Sequence, residues 1–272
     1  MSECKPQWGS QTLVGIMEDI LASCNSLQKL SLEDLDVTQN MIQSIIHQNS
    51  KTLQVLNLSF FRLERTKLYQ WHKLSDMYNF TGLSFELVEL ICSSCHELIE
   101  VDFGYTKLSN QSVEFLVNNL SSNVTKLSLR AIKSVTDEHV KTLVSRCNKL
   151  QELNLKRTSI TKDSVTHIIQ HLKSTLVKLD LSNTGIEFPN ELLELKSMQR
   201  LKVLNCDESE DDNLLQKQLF NLCINRRIHA DRLTAASPWH TYEPWEGFWE
   251  IKSKTSVKHS HHLKAKSMNS LL

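Results

Sequence analysis

The sequence predicts an α/β solenoid, in which short parallel strands alternate with helices along one open sheet. Apolar residues at positions 1, 4 and 6 of a short segment recur along the chain, and their first members lie 26, 45, 26, 26, 26 and 25 residues apart. Apolar residues between these segments follow the i, i+3, i+4, i+7 spacing of a helix face. Only 6 Gly and 4 Pro occur in 272 residues, which argues against a turn-rich β sandwich.

Each apolar triplet predicts one strand. The triplets are Leu27-Leu30-Leu32, Leu53-Leu56-Leu58, Leu98-Val101-Phe103, Val124-Leu127-Leu129, Leu150-Leu153-Leu155, Leu176-Leu179-Leu181 and Leu201-Leu204-Cys206. An L-x-x-L-x-L pattern at a period in the mid-twenties is typical of leucine-rich repeats. We therefore predict a horseshoe-shaped solenoid with a concave parallel β-sheet and outer helices. The single long interval predicts an insertion near residues 60–80.

The helices are predicted by their own spacing. The sets that share a helix face are Met17/Ile20/Leu21/Cys24, Val88/Ile91/Cys92/Cys95, Val113/Leu116/Val117/Leu120, Val140/Leu143/Val144/Cys147 and Val165/Ile168/Ile169/Leu172. A Ser or Thr lies four residues before most of these faces, and its hydroxyl can accept a first-turn N–H group. The predicted N-caps are Thr38, Ser84, Ser109, Thr136 and Thr161.

The segment Cys92-Ser93-Ser94-Cys95-His96 has the C-x-x-C-H spacing of a c-type haem attachment site. The repeat offers a simpler interpretation. Cys24, Cys95 and Cys147 each lie three residues before the first Leu of a triplet, so Cys95 occupies a repeat position at the corner between helix and strand. A thiol is small and apolar enough to fill that corner. We therefore interpret both cysteines as core residues and predict no cofactor and no metal there.

The net charge and the absence of known catalytic and nucleotide-binding motifs reduce the number of functions to consider. Lys+Arg and Asp+Glu each number 31, so the zero net charge does not favour nucleic acid or an anionic membrane as a partner. We expect no membrane span, because no apolar run is long enough. None of the motifs G-x-x-x-x-G-K-[ST], G-x-G-x-x-G, G-x-S-x-G or H-E-x-x-H occurs. We expect a binding protein without a cofactor, and not an enzyme.

Localisation follows from the N-terminus and the cysteines. The N-terminus MSECKPQWGSQ lacks an apolar signal sequence, and the odd count of seven cysteines fits free thiols in a reducing compartment. We therefore expect a protein of the nucleus and cytoplasm.

The chain after Cys206 departs from the repeat. LLQKQLFNLC is expected to form a capping helix over the last apolar face. The following segment contains Trp239, Trp245 and Trp249, which either fold back on the solenoid or offer aromatic anchors to a partner. The predicted organisation is an N-terminal segment over 1–10, repeats over 11–206, a cap and aromatic tail over 207–251 and a basic disordered tail over 252–272.

The basic tail has two further interpretations. Its His259, His261 and His262 could bind a metal, but no Cys or carboxylate stands at ligand spacing, so a solvated tail is favoured. Its lysines could also form a weak nuclear-import or phosphate-binding patch, although a charged soluble tail is the simpler explanation.

The candidate binding residues lie on the predicted concave face. Strand residues between the apolar positions should point outward there. The positions expected to be exposed are Glu100, Asp102, Lys126, Ser128, Arg130, Glu152, Asn154, Lys156, Lys178, Asp180 and Ser182. The predicted protein-binding residues are Tyr105, Lys126, Arg130, Lys133, Lys156, Arg157, Lys178, Asn183 and, in the tail, Trp249. The cations could bind an acidic or phosphorylated peptide. The alternative is an ordinary solvated face of mixed charge.

Several segments resemble the F-box leucine-rich-repeat family. They are LVGIMEDILASCNSLQKLSLEDLDVT, LSSNVTKLSLRAIKSVTDEHVKTLVSRCNKLQELNL, NELLELKSMQRLKVLNC and FWEIKSKTSV. The resemblance implies a substrate receptor of a cullin–RING (SCF-type) ubiquitin ligase. It also implies two partners, namely a phosphorylated cyclin-dependent kinase inhibitor and a small kinase accessory subunit, and a tail that runs back along the concave face.

The resemblance also extends to single positions. Tyr105 matches an aromatic residue of the family's concave face. Lys133 and Asn183 stand where the family has arginines, and Arg157 falls near an acidic position. An F-box would precede the repeats and dock the Skp adaptor, so the adaptor and cullin are expected partners only if an F-box is present. The alternative function is a general interaction scaffold, or a competitor that binds the same partners without ubiquitin transfer.

Overall fold

The described part of the chain forms one parallel β-sheet. The computed structural model describes residues 24–32, 38–59, 82–184, 186, 190–207 and 223–227, all within the first of two compact units, which spans residues 1–229. Eight strands pair in sequence order, each parallel to the next. They are β1 (Lys29–Ser31), β2 (Val55–Asn57), β3 (Glu100–Asp102), β4 (Lys126–Ser128), β5 (Glu152–Asn154), β6 (Lys178–Asp180), β7 (Val203–Asp207) and β8 (Cys223–Arg227). The predicted leucine-rich-repeat solenoid is confirmed.

Helices connect most of the strands. They are α1 (Gln39–Asn49), α2 (Phe85–Ser94), α3 (Asn110–Asn119), α4 (Asp137–Arg146), α5 (Lys162–Leu172) and the short α6 (Asn190–Leu193), which continues into a 3₁₀ turn over Glu194–Ser197. The five predicted N-caps precede α1 to α5 and are confirmed. For example, the Ser109 hydroxyl accepts the N–H of Ser112 at 3.0 Å, which satisfies a first-turn donor that has no partner inside the helix.

The core lies between the sheet and the helices. The middle residue of each repeat strand is buried, and the register aligns these residues in a row across the sheet, with Val101 beside Leu127 and Leu127 beside Leu153. The helix residues that share a face pack against that row in one continuous hydrophobic cluster. Each fully buried Leu or Val contributes about 1.5–3 kcal/mol relative to an exposed one. Because each repeat buries its apolar face on the next, the stacking defines the fold.

The cysteines lie where the repeat places them. Cys24, Cys95 and Cys147 are buried, and so is Cys92 on the inner face of α2. Cys92, Cys95 and Cys147 form no disulfide. Burial raises the pKa of Cys92 to about 12 and that of Cys95 and of Cys147 to about 11. Buried thiols held in the protonated form are poor metal ligands and poor nucleophiles. The prediction that Cys92 and Cys95 are core residues is confirmed.

The last strand differs from the sequence prediction. Cys223 was expected to end a capping helix, but Cys223–Arg227 forms β8 and pairs with β7 in parallel register, with Ile224 beside Leu204. Pairing satisfies the edge N–H and C=O groups that β7 would otherwise present. The insertion predicted near 60–80, the helix set at Met17, Ile20 and Leu21, and the tail from residue 228 onward lie outside the described residues.

Candidate protein-interaction surface

The sheet has a polar face, which across β3 to β6 is formed by the first and third residues of each strand and by the residue two positions after it. Its first row runs across β3 to β6 and alternates in charge, as Glu100, Lys126, Glu152 and Lys178. Lys126 Nζ lies 2.8 Å from Glu100 Oε1, and Lys178 Nζ lies 3.3 Å from Glu152 Oε2. Two of the predicted binding cations are therefore already ion-paired within the sheet.

The Glu152–Lys178 pair is the more buried of the two. The side chains of Lys178 and Glu152 are 5% and 12% exposed, against 23% and 33% for Lys126 and Glu100. Burial raises the pKa of Glu152, and the attraction of Lys178 and Lys126 offsets only part of that shift. Removing one partner would leave a charge with little access to water, so this pair ties β5 to β6.

The second row of the polar face bonds back to its own backbone. Asp102 Oδ1 accepts the N–H of Gly104 at 2.7 Å, and Asn154 Oδ1 accepts the N–H of Lys156 at 2.9 Å. Asp180 Oδ1 accepts the N–H of Ser182 at 3.0 Å. Such Asx turns fix the chain where each strand ends.

The expected exposure of the polar face is wrong at seven positions. Asp102, Ser128, Arg130, Asn154, Lys178, Asp180 and Ser182 are all buried. Two causes are visible among the described residues. Neighbouring parallel strands are about 4.8 Å apart, so each short side chain is flanked on both sides. The Asx turns and ion pairs also hold these groups against the sheet and not out in solvent.

Arg130 extends sideways across the sheet and is only 8% exposed. Its guanidinium carbon lies 4.9 Å from the centre of the Tyr105 ring, within cation–π range. The glycine at position 104 leaves room for this arrangement. A Cβ there would lie 2.6 Å from Arg130 Cγ, 2.6 Å from Arg130 Nε and 2.9 Å from Asp102 Oδ1. The structure thus brings together two predicted site residues, Arg130 and Tyr105.

One row of residues near the strand ends has left-handed backbone geometry. Tyr105, Ala131, Arg157 and Asn183 have φ between 57° and 60°. They are 26 residues apart, and the first three each donate their N–H to a carbonyl of the next repeat, such as Tyr105 to Arg130 at 2.8 Å. The hydrogen-bond ladder thus continues past the strands and fixes the direction of these side chains. Sequence reasoning had selected three of these residues without recognising their shared conformation, and the 26-residue spacing was the signal available.

The remaining predicted cations follow the ends of β4 and β5, within five residues of the strands. We define the strand-end cluster as Arg130, Lys133, Lys156 and Arg157. Lys133 is exposed, Lys156 and Arg157 are half-buried, and Arg130 is buried against Tyr105. Asn183 is half-buried beside this cluster in the next repeat. Trp249 lies outside the described residues.

Other kinds of site find little support in the part of the chain that the structure describes. There, no three His, Cys, Asp or Glu side chains gather closely enough to hold a metal ion. Within the same residues, no helix is long and apolar enough to cross a membrane.

Comparison with known proteins identifies the fold. No protein-family model matches the chain. The crystal structure of the Rad7 and Elc1 complex in yeast is similar, with a TM-score of 0.56 at 16% identity over 82% of this chain. The match covers 56% of the Rad7–Elc1 chain concerned, so this chain spans little more than half of it.

Two internalins of Listeria monocytogenes also match. The first is internalin C2, with a TM-score of 0.43 and 19% identity over 76% of this chain and 84% of its own. The second is internalin F, with a TM-score of 0.42 and 12% identity over 78% of this chain and 59% of its own.

Proposed function

We propose that this protein is a non-enzymatic recognition subunit of an SCF-type ubiquitin ligase, which binds a phosphorylated cell-cycle regulator through its leucine-rich repeats. The observation that carries the proposal is the strand-end cluster. Four cations from two neighbouring repeats follow the ends of β4 and β5, and Lys126 and Lys178 of the neighbouring strand row are ion-paired with Glu100 and Glu152. A phosphorylated segment carries negative charge and several acceptor oxygens, which such a cluster would bind.

The cluster favours a multiply charged group, such as a phosphate, over a single carboxylate. Arg157 can offer parallel N–H donors to a phosphate, Lys133 and Lys156 act as point charges, and the buried Arg130 adds positive charge beside them. The left-handed backbone at Arg157 and the Tyr105 ring beside Arg130 limit the directions that the guanidinium groups can take. This preorganisation lowers the entropy that binding would cost.

The ligase role rests on the family resemblance. The segments that resemble F-box leucine-rich-repeat proteins are similar, within that family, to the S-phase kinase-associated F-box protein. We extend from it a phosphorylated cyclin-dependent kinase inhibitor as substrate and the kinase accessory subunit as co-receptor. Skp adaptor and cullin would be partners where an F-box is present, and the protein would act in the nucleus and cytoplasm. The solved complex of Rad7 with Elc1 supports a fold that assembles with other proteins.

Affinity capture with charge variants tests the proposal. The tagged chain, a Lys133→Glu/Arg157→Glu variant and a Lys51→Glu/Lys162→Glu control would be incubated with lysate and analysed by mass spectrometry. The two variants change the net charge equally, but Lys51 and Lys162 are exposed outside the polar face. We expect the kinase accessory subunit with its phosphorylated inhibitor to be captured by the wild type and control, and to be lost from the first variant and after phosphatase treatment.

The outcomes separate the proposal from its alternatives. Capture of the accessory subunit without adaptor or cullin would support a substrate surface that is separate from the ligase scaffold, as in a competitor. Capture of the accessory subunit together with the adaptor and cullin would support the proposal that the protein is a subunit of the ligase. Equal capture by the two charge variants would remove the strand-end cluster from the proposal, and capture of none of these proteins would overturn the ligase role.

A further inference from the structure

Helix α5 carries two histidines that solvent can reach. His167 and His171 are four residues apart in Lys162–Leu172, and His171 is exposed while His167 is partly exposed. Residues at i and i+4 of a helix lie one above the other, with Cβ atoms about 5–6 Å apart. The buried face of the helix is formed by Ser164, Val165, Ile168 and Leu172. Both imidazoles therefore lie in one column along the edge of that face, where solvent reaches them.

This spacing suits a transition-metal ion. Two histidines at i and i+4 on one helix face are the helical part of known zinc sites, since both imidazoles can reach one ion at about 2.0–2.1 Å. Asp163 lies one further turn toward the N-terminus and is exposed, so it adds a negative charge near the pair. Because the described residues contain no three-ligand cluster, two imidazoles would be the protein ligands and water would complete the coordination.

The backbone that carries the pair is fixed at its N-terminal end. The Asp137 carboxylate, from α4, accepts the N–H and hydroxyl of Thr161, each at 2.9 Å. It also accepts the N–H of Ser164 at 3.2 Å and the Ser164 hydroxyl. Four donors from the first turn of α5 are thus held by the neighbouring repeat.

The C-terminal end of the helix is fixed as well. The Leu172 carbonyl accepts the N–H groups of Thr175 and Leu176, and the Lys173 carbonyl accepts the N–H of Gln199. A helix anchored at both ends presents its two imidazoles without a further cost of ordering the backbone.

We propose that His167 and His171 form a bidentate site for a borderline divalent metal ion such as Ni²⁺ or Zn²⁺. The ion would be held on the helix side of the solenoid, apart from the polar face. Imidazole nitrogen ligands discriminate against Ca²⁺ and Mg²⁺, which require oxygen ligands. Open coordination positions would remain for water or for a donor from a partner. The site does not depend on the proposed ligase function.

Calorimetric titration of the whole chain with Ni²⁺ tests the site. The background would carry His259→Ala, His261→Ala and His262→Ala, so that the tail histidines cannot contribute. We expect one Ni²⁺ per chain and no heat of binding with Ca²⁺. Removing either imidazole by His167→Ala or His171→Ala should weaken the affinity at least about tenfold, because the second ligand acts intramolecularly once the first is bound. Ni²⁺ should also raise the thermal midpoint of the background protein.

A spacing control keeps the histidine count constant. Thr166 is exposed, so Thr166→His combined with His167→Ala leaves two histidines on α5 but separates them by five residues. That variant should bind Ni²⁺ as weakly as His167→Ala alone. Affinity equal to that of the background protein in either single variant, or in the spacing control, would overturn the proposal.

Discussion

The two sides of the sheet are both largely buried, but for different physical reasons. On the helix side, the middle residues of the strands are apolar and are covered by the helices, so the hydrophobic effect accounts for their burial. On the polar face, Asp102, Asn154 and Asp180 are buried while bonded to the backbone, and Lys178 is buried beside Glu152. Stability on the helix side depends on how well apolar side chains fill the core. On the polar face it depends on each polar group having a hydrogen-bond or ion-pair partner.

Two carboxylates, one on each side of the sheet, differ in their protonation. On the helix side, burial alone would raise the pKa of Asp137, but hydrogen bonds from Ser164 and Thr161 lower it. On the polar face, burial raises the pKa of Glu152 despite its lysine neighbours. Hydrogen-bond donors therefore stabilise one charge, whereas desolvation destabilises the other.

The largest loss of stability is expected from a substitution in the apolar core on the helix side of the sheet. Leu127→Ala removes a fully buried side chain from the middle of β4 and leaves a cavity that the stacked repeats cannot close. We expect it to lower the free energy of unfolding by about 2–5 kcal/mol. Urea denaturation would measure the change, with Lys133→Ala at an exposed position as the control. A loss below that of the control would contradict the close packing inferred for this side.

On the polar face, stability is expected to depend on whether charged side chains keep their partners, and not on side-chain volume. Glu152→Leu leaves Lys178 buried beside an apolar side chain, and we expect a loss of about 3 kcal/mol in the free energy of unfolding. Glu152→Leu together with Lys178→Met removes both charges and should recover most of that loss. A double-mutant cycle by urea denaturation measures the coupling. Equal losses in the single and double variants would show that the pair does not act as a unit.

The two carboxylates predict pH dependences of opposite sign. Because the folded-state pKa of Glu152 is raised above its ordinary value of 4.5, stability should fall as the pH rises from that value through the folded pKa. The folded-state pKa of Asp137 lies below its ordinary value of 3.8, so its contribution is present above that value and is lost as the pH falls through the folded pKa.

Glu152→Gln and Asp137→Asn separate these two contributions. Unfolding free energies measured from acid to neutral pH should show a shallower decline above the ordinary glutamate pKa in the first variant. The second variant should show a smaller loss of stability at the acidic end. If the unfolding free energy of both variants changed with pH as it does in the wild type, Glu152 and Asp137 would not be the source of these pH dependences.

The smallest change in stability is expected at Ala131, one of the four described residues with left-handed backbone geometry. Ala131 has φ of 60°, which costs a residue with a Cβ about 1–2 kcal/mol, whereas glycine is strain-free there but loses more chain entropy on folding. We expect Ala131→Gly to stabilise by no more than about 1 kcal/mol, and Ala131→Val to destabilise. Thermal denaturation of the two variants would show whether each one raises or lowers the stability. Stabilisation by Val would contradict the observed backbone geometry.

Much of the fold could be predicted from spacing alone. The apolar triplets identified the seven strands of the repeats, and the N-cap serines and threonines marked where helices begin, because both follow from local periodicity and local hydrogen bonding. The corner cysteines were recognised in the same way. Strand β8 was missed because CINRR carries no apolar triplet, and its pairing depends on the edge that β7 offers.

The candidate surface was less predictable. Sequence spacing identified the residues of the polar face, but it could not show that Lys126 and Lys178 meet Glu100 and Glu152, since each pair is joined only when repeats stack in register. The position of Arg130 depends on glycine at 104 one repeat earlier, which no local pattern indicates. The i, i+4 spacing of His167 and His171 is present in the sequence, but the helix prediction used only the apolar residues of that segment.

Lysine footprinting of the protein with its captured partner would test the central claim, that the ends of β4 and β5 form the binding surface. Acylation rates of Lys133 and Lys156 would be compared with those of Lys51 and Lys162, in the free chain and in the complex. The account predicts that Lys133 and Lys156 become protected while Lys51 and Lys162 react at unchanged rates. Protection of Lys51 and Lys162, with Lys133 and Lys156 unchanged, would contradict it and place the partner outside the polar face.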